Sequence, residues 1–151
     1  TYSDSTPENW HLYFEHSTKG KSYKLLLDKT LANEIVMSDT EYEWIANKPL
    51  IDAAKGDVLI IGLGMNFITP YVQAFADSVT ILEKHQEIID NVPTTAKVVK
   101  GDVFKVDEIF KKEKFDVVLE DLWIMSSTHT VKPLLEKLLK PNGKVVSWNK
   151  L

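Results

Sequence analysis

Short stretches of this chain put glycines or acids where a buried strand would end. Gly62-Leu63-Gly64 follows the apolar run Asp57–Ile61, and Glu83 follows Val79–Leu82. Gly101-Asp102 follows Lys97–Val99, and Glu120-Asp121 closes Phe115–Leu119. Glycine has no Cβ, so Gly62 and Gly64 let the backbone turn sharply and let a ligand come close. A helix starting just beyond presents its N-terminus to that ligand. Glu83 lies 21 positions after Gly62. At that distance an acid ends the next strand and can accept hydrogen bonds from both ribose hydroxyls. An ordinary strand-to-helix turn accounts for the glycines alone, and a solvated carboxylate accounts for Glu83 alone. Together, at this spacing, they indicate a nucleoside site.

The dinucleotide fingerprint needs a third glycine three residues after the second. Phe67 stands there, which disfavours a pyrophosphate over this turn and a nicotinamide dehydrogenase with it. A nucleoside cofactor without phosphates, S-adenosylmethionine, fits better.

These residues need a scaffold that brings strand ends together. Near-continuous Val/Ile/Leu runs suit parallel strands buried on both faces. Strands alternating with helices make right-handed β-α-β units and an open doubly wound sheet. Strands are expected over 57–61, 79–82, 97–99, 115–119 and 144–148. Helices are expected over about 66–76 and 106–112. A further helix is marked by Leu134, Leu135, Leu138 and Leu139, and Pro141-Asn142-Gly143 ends it. Ahead of Lys55, His11–Glu15, Tyr23–Leu27 and Leu31–Met37 read as a small antiparallel meander, with a tight turn at Asp28-Lys29. Ser38 and Glu41 form a capping box for a helix that Pro49 kinks or divides. The organisation expected is thus a β-meander and helix over 1–54 and a Rossmann-like nucleoside-binding domain over 55–151, together one compact α/β unit. Open α/β sheets bind ligands at the carboxyl ends of their strands, where strand order switches.

Composition narrows the partners. Apolar residues are 44% and charged residues 26% of 151 residues, an ordinary globular mix rather than a disordered one. Eighteen basic against 22 acidic residues, net charge -4, with no basic stripe, make a poor match for nucleic acid. The absence of cysteine excludes disulfides and thiolate sites and fits a reducing, cytoplasmic setting. No apolar run approaches the roughly 18 residues of a membrane helix, and Thr1–Glu8 lacks a signal-peptide core. His11, His16, His85 and His129 show no ligand spacing with carboxylates, so no metal is expected. Ser126-Ser127-Thr128 read as helix capping, and Lys111–Lys114 as a solvated helix end. Trp123 suits a pocket wall or the core.

Ile60-Ile-Gly-Leu-Gly64, Ile81-Leu-Glu83, Lys100-Gly-Asp102 and Phe115-Asp-Val-Val-Leu-Glu-Asp121 resemble the successive motifs of class I S-adenosylmethionine-dependent methyltransferases. More narrowly, Ser22–Asp28 and Thr40–Leu50 resemble the N-terminal segment of the spermidine synthase branch. The resemblance covers roughly 12–147, and the order and spacing of the motifs carry it. It implies that Gly62, Leu63 and Gly64 line the methionine part of the cofactor. Glu83, with Lys84 after it, would hold the ribose, and Asp102 and Val103 would meet adenine. Asp121 would border the cofactor's sulfonium and be the catalytic carboxylate that helps deprotonate the attacking group. It also implies a small-molecule acceptor.

Departures from that branch matter. Met65 replaces an aspartate that engages the cofactor's amino end, and Leu122–Met125 replaces a second acid after the fourth strand. Both changes favour intact S-adenosylmethionine over its decarboxylated form. The expected function is therefore a methyltransferase. The alternatives are an aminopropyl- or aminocarboxypropyl-transferase and a catalytically silent nucleoside-binding protein. By the same resemblance, the family's sixth and seventh strands are expected to be missing. That leaves the fifth strand with an uncovered edge, so a homo-oligomer is expected.

Overall fold

The computed structural model describes residues 17–31, 34–122 and 128–148. They fall into two compact units, one reaching to Ala46 and the other starting at Asn47.

In the first unit, β1 (Leu25–Asp28) pairs antiparallel with β2 (Glu34–Ser38), with Leu26 opposite Met37 and a register shift after it. The turn expected at Asp28-Lys29 is a 3-10 turn over Lys29–Leu31. The Asp28 carboxylate holds it by accepting the Thr30 N–H at 2.7 Å and the Thr30 hydroxyl at 2.6 Å. His11–Glu15, expected as the meander's other strand, lies outside the described residues. Helix α1 (Glu41–Ala53) follows, its residues from Asn47 on belonging to the second unit. Its cap differs from the expected pairing of Ser38 with Glu41. Ser38 still belongs to β2, and it is the buried Glu43 whose carboxylate accepts the Ser38 N–H at 3.0 Å. Pro49 lies inside α1 without dividing it. It deprives only the Ile45 carbonyl of a helical partner, and Ile45 is exposed to water.

The second unit is a five-stranded sheet in the order β5-β4-β3-β6-β7, all neighbours parallel. Its strands are β3 (Gly56–Ile61), β4 (Ala76–Glu83), β5 (Lys97–Lys100), β6 (Phe115–Glu120) and β7 (Leu139–Ser147). The helices between them are α2 (Thr69–Phe75), α3 (Gln86–Asn91), α4 (Val106–Ile109) and α5 (Thr128–Glu136). Strand order switches between β3 and β6. Side chains alternate along a strand, so each strand feeds two cores. Val58, Ile60, Ile81, Val117 and Leu119 pack with Leu50, Ile51, Ile68 and Val72 on one face. Leu59, Ile61, Leu82 and Val118 pack with Val106, Phe110, Leu135 and Leu138 on the other. Burial on both faces is why these runs contain no polar alternation.

Element ends depart from expectation where backbone geometry overrides composition. Helix α2 starts at Thr69 rather than near Asn66, because the residues after Gly62 form an irregular turn. Pro141-Asn142-Gly143 does not terminate a helix: α5 stops at Glu136, and these residues form an irregularity inside β7. Phe115 faces Leu139, but Val117 already faces Lys144, so β7 bulges between them. Asn142 takes φ 65 there. A Cβ on Gly143 would lie 2.9 Å from the Lys140 carbonyl oxygen and 3.1 Å from that of Asp116.

The bulge carries Lys140 to the amino ends of β3 and β6. Its ammonium donates to Asp57 at 2.5 Å and to Asp116 at 3.0 Å. Asp116 also accepts the Asp57 N–H at 2.7 Å, and the Ser78 hydroxyl donates to Asp57 at 2.6 Å. The bond from Lys140 holds the Asp57 carboxyl below its ordinary value, and the Asp57 N–H does the same for Asp116. The two carboxylates raise Lys140 in turn, Asp57 most. Among the described residues no helix is long and apolar enough to cross a membrane.

Carboxyls lowered by folding add stability above their unfolded values near 3.8 and lose it as pH falls through the lower folded values. Lys140→Ala removes the shared cation and leaves two facing carboxylates. Thermal melts should show a loss of about 2–4 °C at pH 7 that shrinks towards zero below about pH 3. An equal loss at both pH values would show that the side chain matters only through packing.

Candidate functional site at the carboxyl ends of the strands

Register alone brings the candidates to one end of the sheet. Ile61 lies beside Leu82 and beside Glu120, Glu83 beside Lys100, and Glu120 beside Ser147. Backbone bonds then tie the segments beyond the strands to one another. The Gly62 N–H donates to the Leu82 carbonyl at 2.8 Å and the Asp121 N–H to the Ile61 carbonyl at 3.0 Å. Likewise the Gly101 N–H meets the Glu83 carbonyl at 3.0 Å, and the Trp148 N–H meets the Glu120 carbonyl at 2.8 Å.

The turn after β3 is built from left-handed residues: Gly62 at φ 101, Gly64 at φ 53 and Asn66 at φ 60. Gly62 is constrained twice. Its φ suits glycine, and a Cβ would come within 2.6 Å of the Asp121 carbonyl oxygen. The turn after β3 therefore presses directly on the chain leaving β6. The Leu63 side chain is buried in the core, so only its backbone faces the site.

Glu83 is buried, with 6% of its surface exposed, which overturns the solvated reading. One carboxylate oxygen accepts the Leu63 N–H at 2.9 Å and the other the His85 N–H at 2.8 Å. A carboxylate offers about four lone-pair directions, so roughly two remain for a ligand. Asp102 accepts the Phe104 N–H at 3.0 Å and pairs with Lys84 at 3.3 Å. The Phe104 N–H, ahead of the Lys84 ammonium, holds the Asp102 carboxyl below its ordinary value. Val103 beside it is buried, whereas Phe104 is exposed.

Asp121 differs from the other acids. The residue is half-buried, and burial raises its carboxyl from 3.8 to about 7. A carboxyl poised there exchanges protons near neutral pH. Glu120, beside it, is 3% exposed and accepts the Ser147 hydroxyl at 2.7 Å. Burial raises it too, against the lowering effects of Ser147 and Lys132.

The structure thus gathers Gly62, Leu63, Gly64, Glu83, Lys84, Asp102, Val103 and Asp121 at one sheet end. Two residues there were not anticipated. Glu120 gave a signal: it is a charge on the last position of a strand otherwise buried on both faces. Asn66 gave a weaker one, as an asparagine beyond a glycine turn, a residue type that tolerates left-handed backbone. Its amide oxygen is buried and has no hydrogen-bond partner among the described residues. Trp123 and Ser126-Ser127 lie outside the described residues, as do the side chains of Thr128 and His129. Among the described residues no group of acids and histidines is placed to hold a metal.

No family model and no curated protein sequence matches the chain. Solved structures do. The N-methyltransferase NodS from Bradyrhizobium japonicum, in complex with S-adenosylhomocysteine, aligns with TM-score 0.58 and 18% identity, over 72% of this chain and 62% of its own. A putative methyltransferase from Streptococcus mutans aligns with TM-score 0.56 and 14% identity, over 86% of this chain and 42% of its own. A complex of DhpI with S-adenosylhomocysteine aligns with TM-score 0.52 and 20% identity, over 68% of this chain and 53% of its own. The fold is thus the one these methyltransferase structures share, and the chain spans 42–62% of the length of these three structures.

Gly62→Ala should expose the strain of this turn. A left-handed alanine against the Asp121 carbonyl costs about 1–3 kcal/mol, read as a lower urea midpoint with unchanged slope. A midpoint equal to that of the unaltered protein would show that the turn yields freely.

Proposed function

We propose that this chain is an S-adenosylmethionine-dependent transferase, most simply a methyltransferase acting on a small amine or hydroxyl acceptor. The observation that carries the reading is the buried Glu83 carboxylate. It is fixed at the end of β4 by the glycine turn of β3, and lone pairs remain for a diol. The fold shared with methyltransferase structures supports it. The residues suit this cofactor: Phe67 leaves no phosphate turn, and the buried Glu83 carboxylate can accept from a ribose. Glu83 and Lys84 would hold the ribose, and Asp102 and Val103 the adenine. The backbone of Gly62, Leu63 and Gly64 would face the methionine end. Bound there, the cofactor supplies an electrophilic methyl carbon on a sulfonium.

Asp121 would take the proton from the acceptor's nitrogen or oxygen. Burial raises its carboxyl to about 7, where it is both ionised often enough and basic enough to act. Holding the acceptor in line supplies a further share of the acceleration. The narrower likeness to spermidine synthases stays a likeness of motifs. Met65, in place of an acid, weighs against a decarboxylated cofactor.

Calorimetric titration with S-adenosylhomocysteine should give saturable heat, and Glu83→Ala should weaken binding by roughly 2–4 kcal/mol. No heat from the unaltered protein, or unchanged affinity in the variant, rejects the assignment.

With an acceptor in hand, kcat/KM at subsaturating cofactor should rise with pH through about 7, as the Asp121 carboxyl ionises. Asp121→Asn should lower the rate roughly 10²–10⁴-fold and flatten that limb. A variant with the original rate and profile removes Asp121 from the chemistry.

A further inference from the structure

Glu120 breaks the pattern of its strand. Val118, two residues earlier on the same face of β6, packs with Leu135 and Leu138. At Glu120 the strand sets a carboxylate, 3% exposed, where an apolar side chain would extend that packing. A buried acid at such a position lowers stability unless something balances its charge. The protein supplies little. One carboxylate oxygen accepts the Ser147 hydroxyl at 2.7 Å, and the Trp148 N–H clamps the position by donating to the Glu120 carbonyl at 2.8 Å. The other carboxylate oxygen accepts nothing from the described residues, yet it is not shut away from the surface. Among the described residues no lysine forms an ion pair with it, and Lys132 acts on it only at a distance. A glutamine would hold Ser147 equally well, because an amide oxygen accepts the same hydroxyl. The bond to Ser147 therefore does not explain why the residue carries a charge.

The place of Glu120 indicates what the balancing cation belongs to. The Asp121 N–H turns back on the Ile61 carbonyl of β3 at 3.0 Å, whereas the Glu120 side chain reaches across to Ser147 of β7. The two acids thus flank the end of β6, one tied towards β3 and the other towards β7. Glu83 ends β4 and Asp102 follows β5, both on the far side of β3. With adenosine held there, the β7 side of Asp121 is left to the acceptor. A hydroxyl acceptor is neutral and gives a buried carboxylate no charge to pair with. An amine arrives as an ammonium, a cationic donor that forms the stronger kind of hydrogen bond.

We propose that Glu120 selects an amine as the acceptor, its unbonded carboxylate oxygen accepting a hydrogen bond from the acceptor's ammonium while Ser147 holds the other oxygen. The proposal rests on the S-adenosylmethionine reading given above and narrows its acceptor class. The ammonium sheds a proton before its nitrogen attacks, and Asp121 is the base assigned to that step.

The test uses matched probe pairs that differ only in the group at issue: benzylamine and benzyl alcohol, phenethylamine and phenethyl alcohol, n-butylamine and n-butanol. Each is titrated into the full chain near neutral pH, with and without saturating S-adenosylhomocysteine, and the backbone amides of Glu120 and Ser147 are followed by NMR. At least one amine should bind about 10- to 100-fold more tightly than its alcohol and shift both amides. Glu120→Gln keeps the shape and the bond to Ser147 but not the charge. It should melt like the unaltered protein, bind S-adenosylhomocysteine unchanged and lose the preference for the amine. If no amine outbinds its alcohol in the unaltered protein, or if Glu120→Gln keeps the preference, the proposal is overturned. The comparison of amine with alcohol needs no variant, so it decides the proposal even if Glu120→Gln fails to fold. An unaltered protein that does not bind S-adenosylhomocysteine rejects the cofactor reading instead, and the titrations made without that nucleoside then judge Glu120 alone.

Discussion

The Glu83 carboxylate is the interaction on which the site depends. A buried carboxylate must be satisfied by donors, and here the donors are backbone groups from two different segments, Leu63 and His85. Glu83 thereby fixes the glycine turn of β3 against the end of β4 before any ligand arrives. That turn in turn abuts the Asp121 carbonyl through Gly62. One carboxylate therefore sets the spacing between the candidate ribose site and the candidate transfer site. A group that both binds and builds has a divided role, so a loss at Glu83 is read correctly only when stability is measured alongside affinity.

The opposite end of the sheet is organised by a cation rather than an anion. Lys140 joins Asp57 and Asp116 where β3 and β6 begin, and Ser78 adds β4 to the cluster. These groups are partly solvated, so they contribute register more than energy. The division of labour is physical. Solvated charges at the amino ends align the strands cheaply, and at the carboxyl ends burial raises the Glu120 and Asp121 carboxyls, a shift that chemistry can use.

The sheet was legible in the sequence because burial on both faces leaves uninterrupted apolar runs, as in Val58–Ile61 and Val117–Leu119. The positions of Gly62, Glu83, Asp102 and Asp121 were legible because each follows such a run. Other features were not, for identifiable reasons. Pro141-Asn142-Gly143 carries the composition of a helix stop, yet a strand can absorb the same residues as a bulge when a lysine within it has distant carboxylates to reach. The acid that closes the α1 cap is Glu43 rather than Glu41, because Ser38 still belongs to β2. The raised carboxyl of Asp121 depends on tertiary packing and leaves no trace in spacing. Nor does the orphaned oxygen of Asn66, which is defined by what does not surround it.

The switch in strand order has a consequence for how the molecule assembles. Leu82 pairs with Ile61 across 21 positions, Val99 with Leu82 across 17, and Ser147 with Glu120 across 27. Glu120 pairs with Ile61 across 59. Loop-closure entropy grows with the logarithm of that separation, by about 0.6 kcal/mol per doubling, so the β3–β6 seam is the most expensive pairing in the sheet. The glycine turn and Asp121 lie on opposite sides of that seam. Neither half of the sheet holds the whole candidate site, which comes into being only when the chain has joined its most distant strands.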